Sequence, residues 1–454
     1  ETLENYPKLL NDYISEFEGS TGTQNFLGSN SNYHLLDGKT NLYKCFLPLG
    51  WKINNSKGVA GYLHPEGVYD DPKGGILRRE IYKRLKYHFQ YINELTLFSE
   101  FDHHLKYSTN IFSNANKEVD FKTVANLFIP QTIDTSFEHC GDDTIGGIKD
   151  DSNKWNIKGH KNRIIKIDKT ILELFAKLYD EEGTHYLEAR LPALHAVELI
   201  NVLEKFANYP KKLIDFKNNY YSTTFFDETQ TQNDGTIKRN TTFVNSFKQL
   251  IISGPHFHVS NPLYKTPRSE CTQNSHYDVL DMTQISDDYL PRTNYIPLSS
   301  DYENRIPSID FGNGNKKIIE YNRLVFRNML AQSGERTLIS AISTKGLAHI
   351  NAIRSFVFNN QFNLLQIATF VNSIISDYFT KSTGVSNLGN AIFDKFAVVN
   401  SLKAIIRTLS LSCLTTHYSE LWEEQFNEEF KNDNWSKKDD PRLNHNFFAN
   451  LTPY

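Results

Sequence analysis

Cysteine is scarce in this chain of 454 residues: there are four, at positions 45, 140, 271 and 413, and no two form a C-x-x-C pair. That spacing argues against a zinc ribbon or zinc finger, and so few cysteines are typical of a reducing compartment. No apolar run approaches the roughly 18 residues that a membrane-spanning helix needs, and residues 1–7 are too polar for a signal peptide. We therefore expect a cytoplasmic protein with no membrane contact.

Excess charge is also lacking. The formal net charge is −4, which excludes a basic coat over the whole chain, so a nucleic-acid site would have to be a local patch. Methionine occurs only at Met282 and Met329, and the chain begins at Glu1. We expect either a processed chain or one piece of a longer protein. The sequence contains no G-x-S-x-G, H-E-x-x-H or G-x-x-x-x-G-K-[ST] motif.

Apolar residues are plentiful, at 39 % of the chain, and aromatic residues reach 13 %. This composition and length predict a globular protein of two or three domains. Apolar spacing predicts strand 59–63, helix 77–92 and strands 93–101 and 107–112, an order typical of the later half of an α/β domain. It also predicts helices at 171–178, 199–206, 364–378 and 398–409. Residues 1–34 are predicted to be irregular with one short helix. Loops are predicted at 140–151 and 218–240, and a surface extension at 431–454.

Basic residues are densest between positions 316 and 354, where seven of them accompany only two acidic residues, Glu320 and Glu335. The basic residues are Lys316, Lys317, Arg323, Arg327, Arg336, Lys345 and Arg354. Such a patch can neutralise phosphates, and the side chains between them could hydrogen-bond to bases: Asn322, Asn328, Gln332, His349 and Asn351. The alternative is a solvated surface whose charges pair internally, for example Glu335 with a nearby arginine.

Histidines give two further candidates. His256 and His258 are two apart and would face the same side of a strand, but no third metal ligand is evident nearby. His139 and Cys140 precede Asp142 and Asp143, a set that could resemble a metal or acid–base cluster but sits in a glycine-rich loop. We interpret both sets, and the pair at 103–104, as loop or core residues and expect no metal site.

Eight short segments occur in order along the chain: DGKTNLYKCF at 37–46, GVAGYLHP at 58–65, YDDPKGGILR at 69–78, RLVFR at 323–327, ERTLISAI at 335–342, GLAHIN at 346–351, VNSIISDY at 371–378 and FDKF at 393–396. Together they resemble large N6-adenine DNA methyltransferases of bacterial restriction-modification and phage-defence systems, including type IIG enzymes and BREX and DISARM methylases. Residues 343–345 depart from the resemblance, since the family has a proline there.

The resemblance implies a mixed α/β fold: the trailing half of a Rossmann-like methyltransferase sheet at 1–165, a helical connector at 166–240, an α+β target-recognition domain at 241–400, and a C-terminal helix with a surface extension at 401–454. The family's catalytic [DNS]-P-P-[YFW] motif and its glycine-rich S-adenosylmethionine loop are missing. The chain would therefore contain no catalytic or cofactor-binding residue, although the intact protein would use S-adenosylmethionine.

The resemblance implies double-stranded DNA and a missing N-terminal catalytic half, or a catalytic subunit, as partners. The DNA contacts would be the seven basic residues listed above, which position phosphates, and Asn351, which could read a base. Two alternatives stay open. One is a non-catalytic specificity or interaction subunit that acts with a separate catalytic chain; the other is an enzyme of another class, such as a nuclease or hydrolase.

Overall fold

The computed structural model describes residues 5–36, 41–299, 301–331, 334–385, 387–437 and 439–454. The first four residues of the DGKTNLYKCF segment and the candidate Gln332 therefore lie outside the described residues. The chain forms two compact units, Glu1–Asn208 (unit 1) and Tyr209–Tyr454 (unit 2). None of the helices in the described ranges is long and apolar enough to cross a membrane.

Unit 1 is a mixed α/β unit around a sheet with the strand order β1-β3-β2-β4-β5. Only β2 and β4 pair in parallel; the other neighbours are antiparallel. Its elements are α1 (Pro7–Gly28), α2 (Leu42–Ile53), β1 (Ala60–Pro65), α3 (Gly67–Asp70), α4 (Gly75–Tyr82), β2 (Leu85–Ile92), β3 (Lys106–Phe112), β4 (Phe121–Leu127), α5 (Gln131–Glu138), β5 (Ile165–Ile167), α6 (Lys169–Tyr179) and α7 (Glu198–Ala207).

Unit 2 contains two four-stranded sheets, β16-β8-β11-β7 and β15-β14-β17-β6, and two short ribbons, β9–β10 and β12–β13. Its elements are β6 (Tyr220–Thr224), α8 (Glu228–Asn233), β7 (Ile237–Thr242), β8 (Ile251–Ile252), β9 (Lys265–Pro267), β10 (Tyr277–Val279), β11 (Thr293–Pro297), β12 (Ser308–Ile309), β13 (Lys316–Lys317), β14 (Arg323–Arg327), β15 (Ser340–Ser343), β16 (Ala348–His349), β17 (Ile353–Phe358), α9 (Gln361–Val371), α10 (Ile374–Ser382), α11 (Asn390–Phe393), α12 (Leu402–Ser412) and α13 (Ser419–Gln425).

The predicted mixed α/β class is confirmed, as are the strands at β1 and β3 and the helices α6 and α7. The predicted connector 166–240 is divided: α6 and α7 belong to unit 1, whereas β6 and the start of β7 belong to sheets of unit 2. Strand pairing explains the difference, because β6 bonds along its length to β17, whose residues lie 130 or more positions after their partners. Sequence-local periodicity carries no information about such pairing.

Two predictions around the unit 1 sheet are wrong. The helix predicted over 77–92 ends at Tyr82, and Leu85–Ile92 is the strand β2. This strand lies between β3 and β4 and has covered side chains on both faces, so it lacks the strict alternation that marks a half-exposed strand. The predicted strand 93–101 is a turn instead, because the buried Asn93 side chain bonds to both the N–H and the carbonyl of Phe98.

Three other elements differ from expectation. The N-terminal segment forms the 22-residue helix α1, whereas the sequence predicts irregular chain with one short helix over 1–34. The helix predicted over 364–378 is two helices, because Ser373 caps α10 by accepting the N–H of Ser376. The C-terminal residues are more than a surface extension, since Phe448 is buried and packs on Trp435 with ring centroids 4.7 Å apart.

Candidate nucleic-acid interface

Arg323, at the start of β14, does not reach the surface. Its side chain is fully buried and donates to Ser355 Oγ at 3.4 Å, to Ser343 Oγ at 3.2 Å and to the Leu347 carbonyl. Burial lowers its pKa to about 9, which still leaves it charged at neutral pH. No carboxylate pairs with it within the described ranges. The predicted phosphate contact at Arg323 is therefore wrong for this structure, because a phosphate cannot approach a side chain in the core.

The side chains of Arg327 and Arg336 bond to backbone carbonyls of other segments of unit 2. Arg327 donates to the Gly254 carbonyl at 2.8 Å and to the Phe257 carbonyl at 2.5 Å, and burial lowers its pKa to about 10. Arg336 donates to the carbonyls of residues 372 and 373, and its Nε lies 3.5 Å from Asp377 Oδ1. The same Asp377 oxygen accepts two backbone N–H groups at 2.7 Å. The ERTL segment is thus a structural ion pair and cap in this geometry.

Most of the remaining predicted contacts also bond to other residues of the chain. Asn351 donates to Asp227 Oδ2 at 2.8 Å, next to the start of α8. Arg354 donates to Ser222 Oγ and Asn390 Oδ1, Lys345 pairs with Glu420, and Lys317 donates to the Glu303 carbonyl. Lys316 differs, because it is exposed and has no acidic partner in the part of the chain that the structure describes. Of the eight predicted contacts, Lys316 is the one whose geometry leaves its charge available, and its role stays a prediction.

A second group of exposed polar residues was not predicted from the sequence. Strand β7 is an outer strand of its sheet, and Lys238, Arg239 and Asn240 along it are all exposed; we call this the β7 edge. Arg239 lies 5.7 Å from the ring centroid of Tyr295 and 3.7 Å from Glu228. Lys238 has no acidic partner among the described residues. The signal was the run Lys-Arg-Asn-Thr-Thr at 238–242, which was not recognised because residues 218–240 were interpreted as a loop.

The strand ends next to an aromatic platform. Phe243 is 61 % exposed, and the Arg292 guanidinium lies 4.3 Å from its ring centroid. An exposed ring beside a cation offers a stacking surface as well as charge. The β7 edge and this ring together supply the two kinds of contact that nucleic acids accept most readily.

Residues 308–317 form a second exposed feature, which we call the polar ribbon. Strands β12 and β13 pair antiparallel, and Asp310 Oδ1 accepts the N–H groups of Gly312 at 2.7 Å and Gly314 at 3.1 Å. Both glycines have positive φ, 97° and 89°, which side chains disfavour. The turn therefore holds its tip in a defined conformation that presents the exposed residues Asn313, Asn315 and Lys316.

The turn Tyr302–Arg305 supports both features. Arg305 donates to Asp234 Oδ2 at 2.6 Å and to Thr236 Oγ1 at 2.5 Å, just before β7 begins. The Lys317 side chain of the ribbon bonds to the carbonyl of Glu303 in the same turn. Ile237 and Ile318 belong to one core cluster. The β7 edge and the polar ribbon are therefore held on a common support within unit 2.

Unit 1 contains a buried polar cluster at the sheet. His88 Nε2 donates to Glu66 Oε1 at 3.1 Å, and its Nδ1 lies 2.8 Å from Thr123 Oγ1. Burial favours the neutral form of Glu66, but the charge of His88 and its hydrogen bond outweigh this and lower the Glu66 pKa. His88 is only 2 % exposed and Glu66 only 6 %. A substrate has no access to this pair, so its geometry fits a structural role.

The same cluster continues to the edge of the sheet. His64 Nδ1 donates to the Pro65 carbonyl at 2.9 Å, so its Nε2 must accept, and Asn110 donates to it at 3.0 Å. Tyr69 donates to Asn110 Oδ1 at 2.6 Å. Burial lowers the pKa of His64, which keeps it neutral. These bonds join β1, β3 and α3 below the surface.

In the glycine-rich loop, His139 and Asp143 lie next to His160, a residue that the sequence did not indicate. His139 and His160 both point Nε2 at Asp143 Oδ1, at 3.2 and 3.1 Å. Their Nδ1 atoms accept the N–H groups of Gly141 and Asn162, so the proton of each ring that faces Asp143 is carried on Nε2. A metal at this point would need lone pairs there. The arrangement is therefore a hydrogen-bonded clasp, and His160 was missed because it lies 17 residues after Asp143.

The other histidine candidates do not come together on a strand. His256 closes a short 3₁₀ turn rather than a strand, and it donates from Nε2 to the Arg292 carbonyl at 3.0 Å. Burial lowers its pKa to about 4. His258 is half-buried, and its Nδ1 accepts the N–H of Val259. The prediction that both face one side of a strand is wrong, because the proline at 255 begins a turn.

Comparison with known proteins adds one distant likeness. No protein-family model matches the chain, and no curated protein matches it either. Among solved structures, the type IIG restriction endonuclease BpuSI is similar over 83 % of this chain and 44 % of its own, with 10 % sequence identity and a TM-score of 0.29. This chain thus spans less than half the length of that protein.

Proposed function

We propose that this chain is a DNA-docking, target-recognising portion of an N6-adenine DNA methyltransferase system of the restriction-modification or phage-defence kind. The observation that carries the proposal is the pair of exposed features in unit 2. Exposed lysines and amides lie on the β7 edge and on the polar ribbon, and β7 ends next to the exposed Phe243 ring. Lysines neutralise phosphates, whereas amides on a ribbon can reach base edges in a groove. Double-stranded DNA is the partner that this chemistry suits.

The sheet of unit 1 supports the second half of the proposal. Strand β1 is an outer strand, and β3 lies between it and β2, so that β1 and β2 run in the same direction. Leu63 of β1 is 54 % exposed, on the face opposite to the one that carries Tyr62 and His64. A strand from a catalytic half or catalytic subunit could extend the sheet here and cover Leu63. Methyl transfer and S-adenosylmethionine would belong to that partner, which holds the motifs that this chain lacks.

The test is duplex binding measured by fluorescence anisotropy over a series of salt concentrations, with a short mixed-sequence duplex as the probe. We expect weak binding with a steep salt dependence, because each neutralised phosphate adds about −0.9 to the slope of log K against log salt. Replacing Lys238 and Lys316 together by Ala should flatten the slope by roughly 1–2 units. The matched control is Lys117→Ala with Lys205→Ala, two exposed lysines of unit 1.

Equal flattening by the control pair would place the DNA face outside the β7 edge and the polar ribbon. Absence of duplex binding at low salt would favour the second candidate, an interaction subunit that meets DNA only together with a catalytic chain. Methyl transfer by this chain alone, or a one-to-one S-adenosylmethionine site in a calorimetric titration, would contradict the division of labour proposed here.

A further inference from the structure

Helices α1 and α2 of unit 1 each leave a row of large apolar side chains uncovered. In the first, no residue of α1 is buried, and Tyr6, Tyr13 and Phe17 are between 53 % and 61 % exposed. In the second, Phe46 is 60 % and Ile53 is 85 % exposed. We call Tyr6, which directly precedes α1, the half-buried Leu10, Tyr13 and Phe17 the α1 row, and Leu42, Phe46, Leu49 and Ile53 the α2 row.

The two rows have the same spacing. Successive members are four, three and four residues apart in both, which is the spacing of the a and d positions of a coiled coil. At a rise of 1.5 Å per residue, each row is about 17 Å long. The rings of Tyr13 and Phe17 already stack with centroids 6.1 Å apart, so the α1 row lies on one helix face. Two rows of equal length and period can interdigitate over their full extent.

The charges beside the rows are opposite. Helix α1 carries Asp12, Glu16 and Glu18 against a single Lys8. Residues 41–59, which contain α2, include three lysines and no acidic residue. Exposed Lys52 and Lys57 are available to meet the acidic side of α1, because the third, Lys44, pairs with Asp71 at 2.8 Å. This complementarity favours pairing of an α1 with an α2 over pairing of like helices.

Helix α2 packs on its own unit through a different face. Cys45 and Leu47 are buried, Tyr43 stacks on His64 at 5.3 Å, and Trp51 meets Phe112 at 5.7 Å. The α2 row is therefore free to receive a second helix without disturbing the contacts that hold α2. The α1 of the same chain does not cover it, since the α2 row is exposed in the presence of α1.

We propose that the α1 row of one copy of this chain packs on the α2 row of a second copy, and reciprocally, to form a two-fold symmetric dimer. A two-fold axis uses each contact twice, so the apolar area covered by one helix pair is doubled. Three aromatic side chains of the α1 row and one of the α2 row enter each contact, and such rings contribute most of the energy at interfaces. The inference is independent of the proposed DNA function.

The test is the mass of the full chain by light scattering after size exclusion, over a range of concentrations. We expect the mass to rise from 52.4 kDa toward twice that value. Phe17→Lys and Phe46→Lys should each weaken dimerisation by at least about tenfold. The matched control is Phe26→Lys, because Phe26 lies on the same helix outside the row and is 57 % exposed, as is Phe17. Circular dichroism checks that each variant folds.

Mixing the two variants separates this arrangement from its alternatives. Neither Phe17→Lys nor Phe46→Lys alone keeps an intact helix pair, but a heterodimer of the two keeps one, made from the α1 of the Phe46→Lys chain and the α2 of the Phe17→Lys chain. We therefore expect the mixture to form dimers at concentrations where each variant alone is monomeric. A monomeric parent chain, a variant that stays dimeric alone, or a mixture that stays monomeric would overturn the proposal.

Discussion

Unit 1 buries a glutamate against a histidine, whereas unit 2 buries an arginine that no carboxylate joins within the described ranges. In the first cluster, Glu66 accepts a hydrogen bond from His88. In the second, Arg323 relies on hydroxyl groups, a carbonyl and the ring of Phe225, 5.2 Å away. The buried Arg323 side chain has fewer of its polar groups satisfied, since its Nε is buried without a hydrogen-bond partner. A basic residue in a strand can thus be a structural brace rather than a ligand for phosphate.

The Arg323 cluster extends to a histidine. Ser355 receives a hydrogen bond from Arg323 and donates to His349 Nε2 at 2.7 Å, while His349 Nδ1 donates to the Ile350 carbonyl at 2.9 Å. Burial, and then the charge of Arg323, lower the pKa of His349 to about 3. This neutral histidine contrasts with His88, which faces a carboxylate. The two clusters should therefore respond differently to substitution and to acid.

Among the substitutions considered, Arg323→Ala should lower the free energy of unfolding the most. Arg323→Ala leaves the Leu347 carbonyl and two serines without their donor and opens a cavity, so we expect unit 2 to lose about 3–5 kcal/mol of unfolding free energy. Urea unfolding followed by tryptophan fluorescence measures it, since Trp422 and Trp435 lie in unit 2. Lys316→Ala is the control and should change nothing beyond about 0.5 kcal/mol. Equal, small losses would mean that Arg323 is not a brace.

Glu66→Gln should cost less, about 2–3 kcal/mol, because glutamine can still accept the hydrogen bond from His88 but that bond loses the carboxylate charge. The folded-state pKa of Glu66 is below its ordinary value of 4.5. Its stabilisation is therefore complete above that value and is lost as the pH falls through the lower, folded pKa. The variant should have a flatter acid limb in urea unfolding between pH 5 and pH 3, read by Trp51 and Trp155 of unit 1. An unchanged acid limb would contradict the lowered pKa of Glu66.

His349→Gln should change the pH dependence of unit 2. Because its pKa is about 3 when folded and 6.5 when unfolded, protonation favours the unfolded chain, and its contribution is lost as the pH falls below 6.5. We expect the variant to remove up to about 1.4 kcal/mol per pH unit from the slope between pH 6 and pH 4. The exposed His445→Gln is the matched control. If His349→Gln and His445→Gln showed the same dependence of unfolding free energy on pH, His349 would be protonated in the folded state between pH 6 and pH 4.

The smallest expected effect belongs to the surface pair of Lys345 and Glu420, whose side chains are 39 % and 57 % exposed. Lys345→Ala should alter the unfolding free energy by less than about 0.5 kcal/mol, because water screens the pair. Thermal melts in low and high salt measure it. A loss approaching that of Arg323→Ala would mean that exposure does not distinguish the braces from the surface cations.

Local sequence determined the elements whose signal lies within a few residues. Strand β1 was predictable because a short apolar run ends at a proline, and α6 because Ile171, Leu174, Phe175 and Leu178 repeat at helical spacing. The density of basic residues over 316–354 was equally visible. These features depend on backbone geometry and composition, which neighbouring residues already specify.

Only the tertiary structure decided which charges remain at the surface. Arg323 and Lys316 look alike in sequence, but β14 lies between β15 and β17 in its sheet, whereas the β12–β13 ribbon is exposed at its tip. Likewise, β6 and β17 pair across 130 or more residues, and His160 bonds to Asp143 from the far end of a loop. Such contacts form because distant segments bury apolar surface together, and the residues they enclose must then satisfy their polar groups with whatever lies nearby.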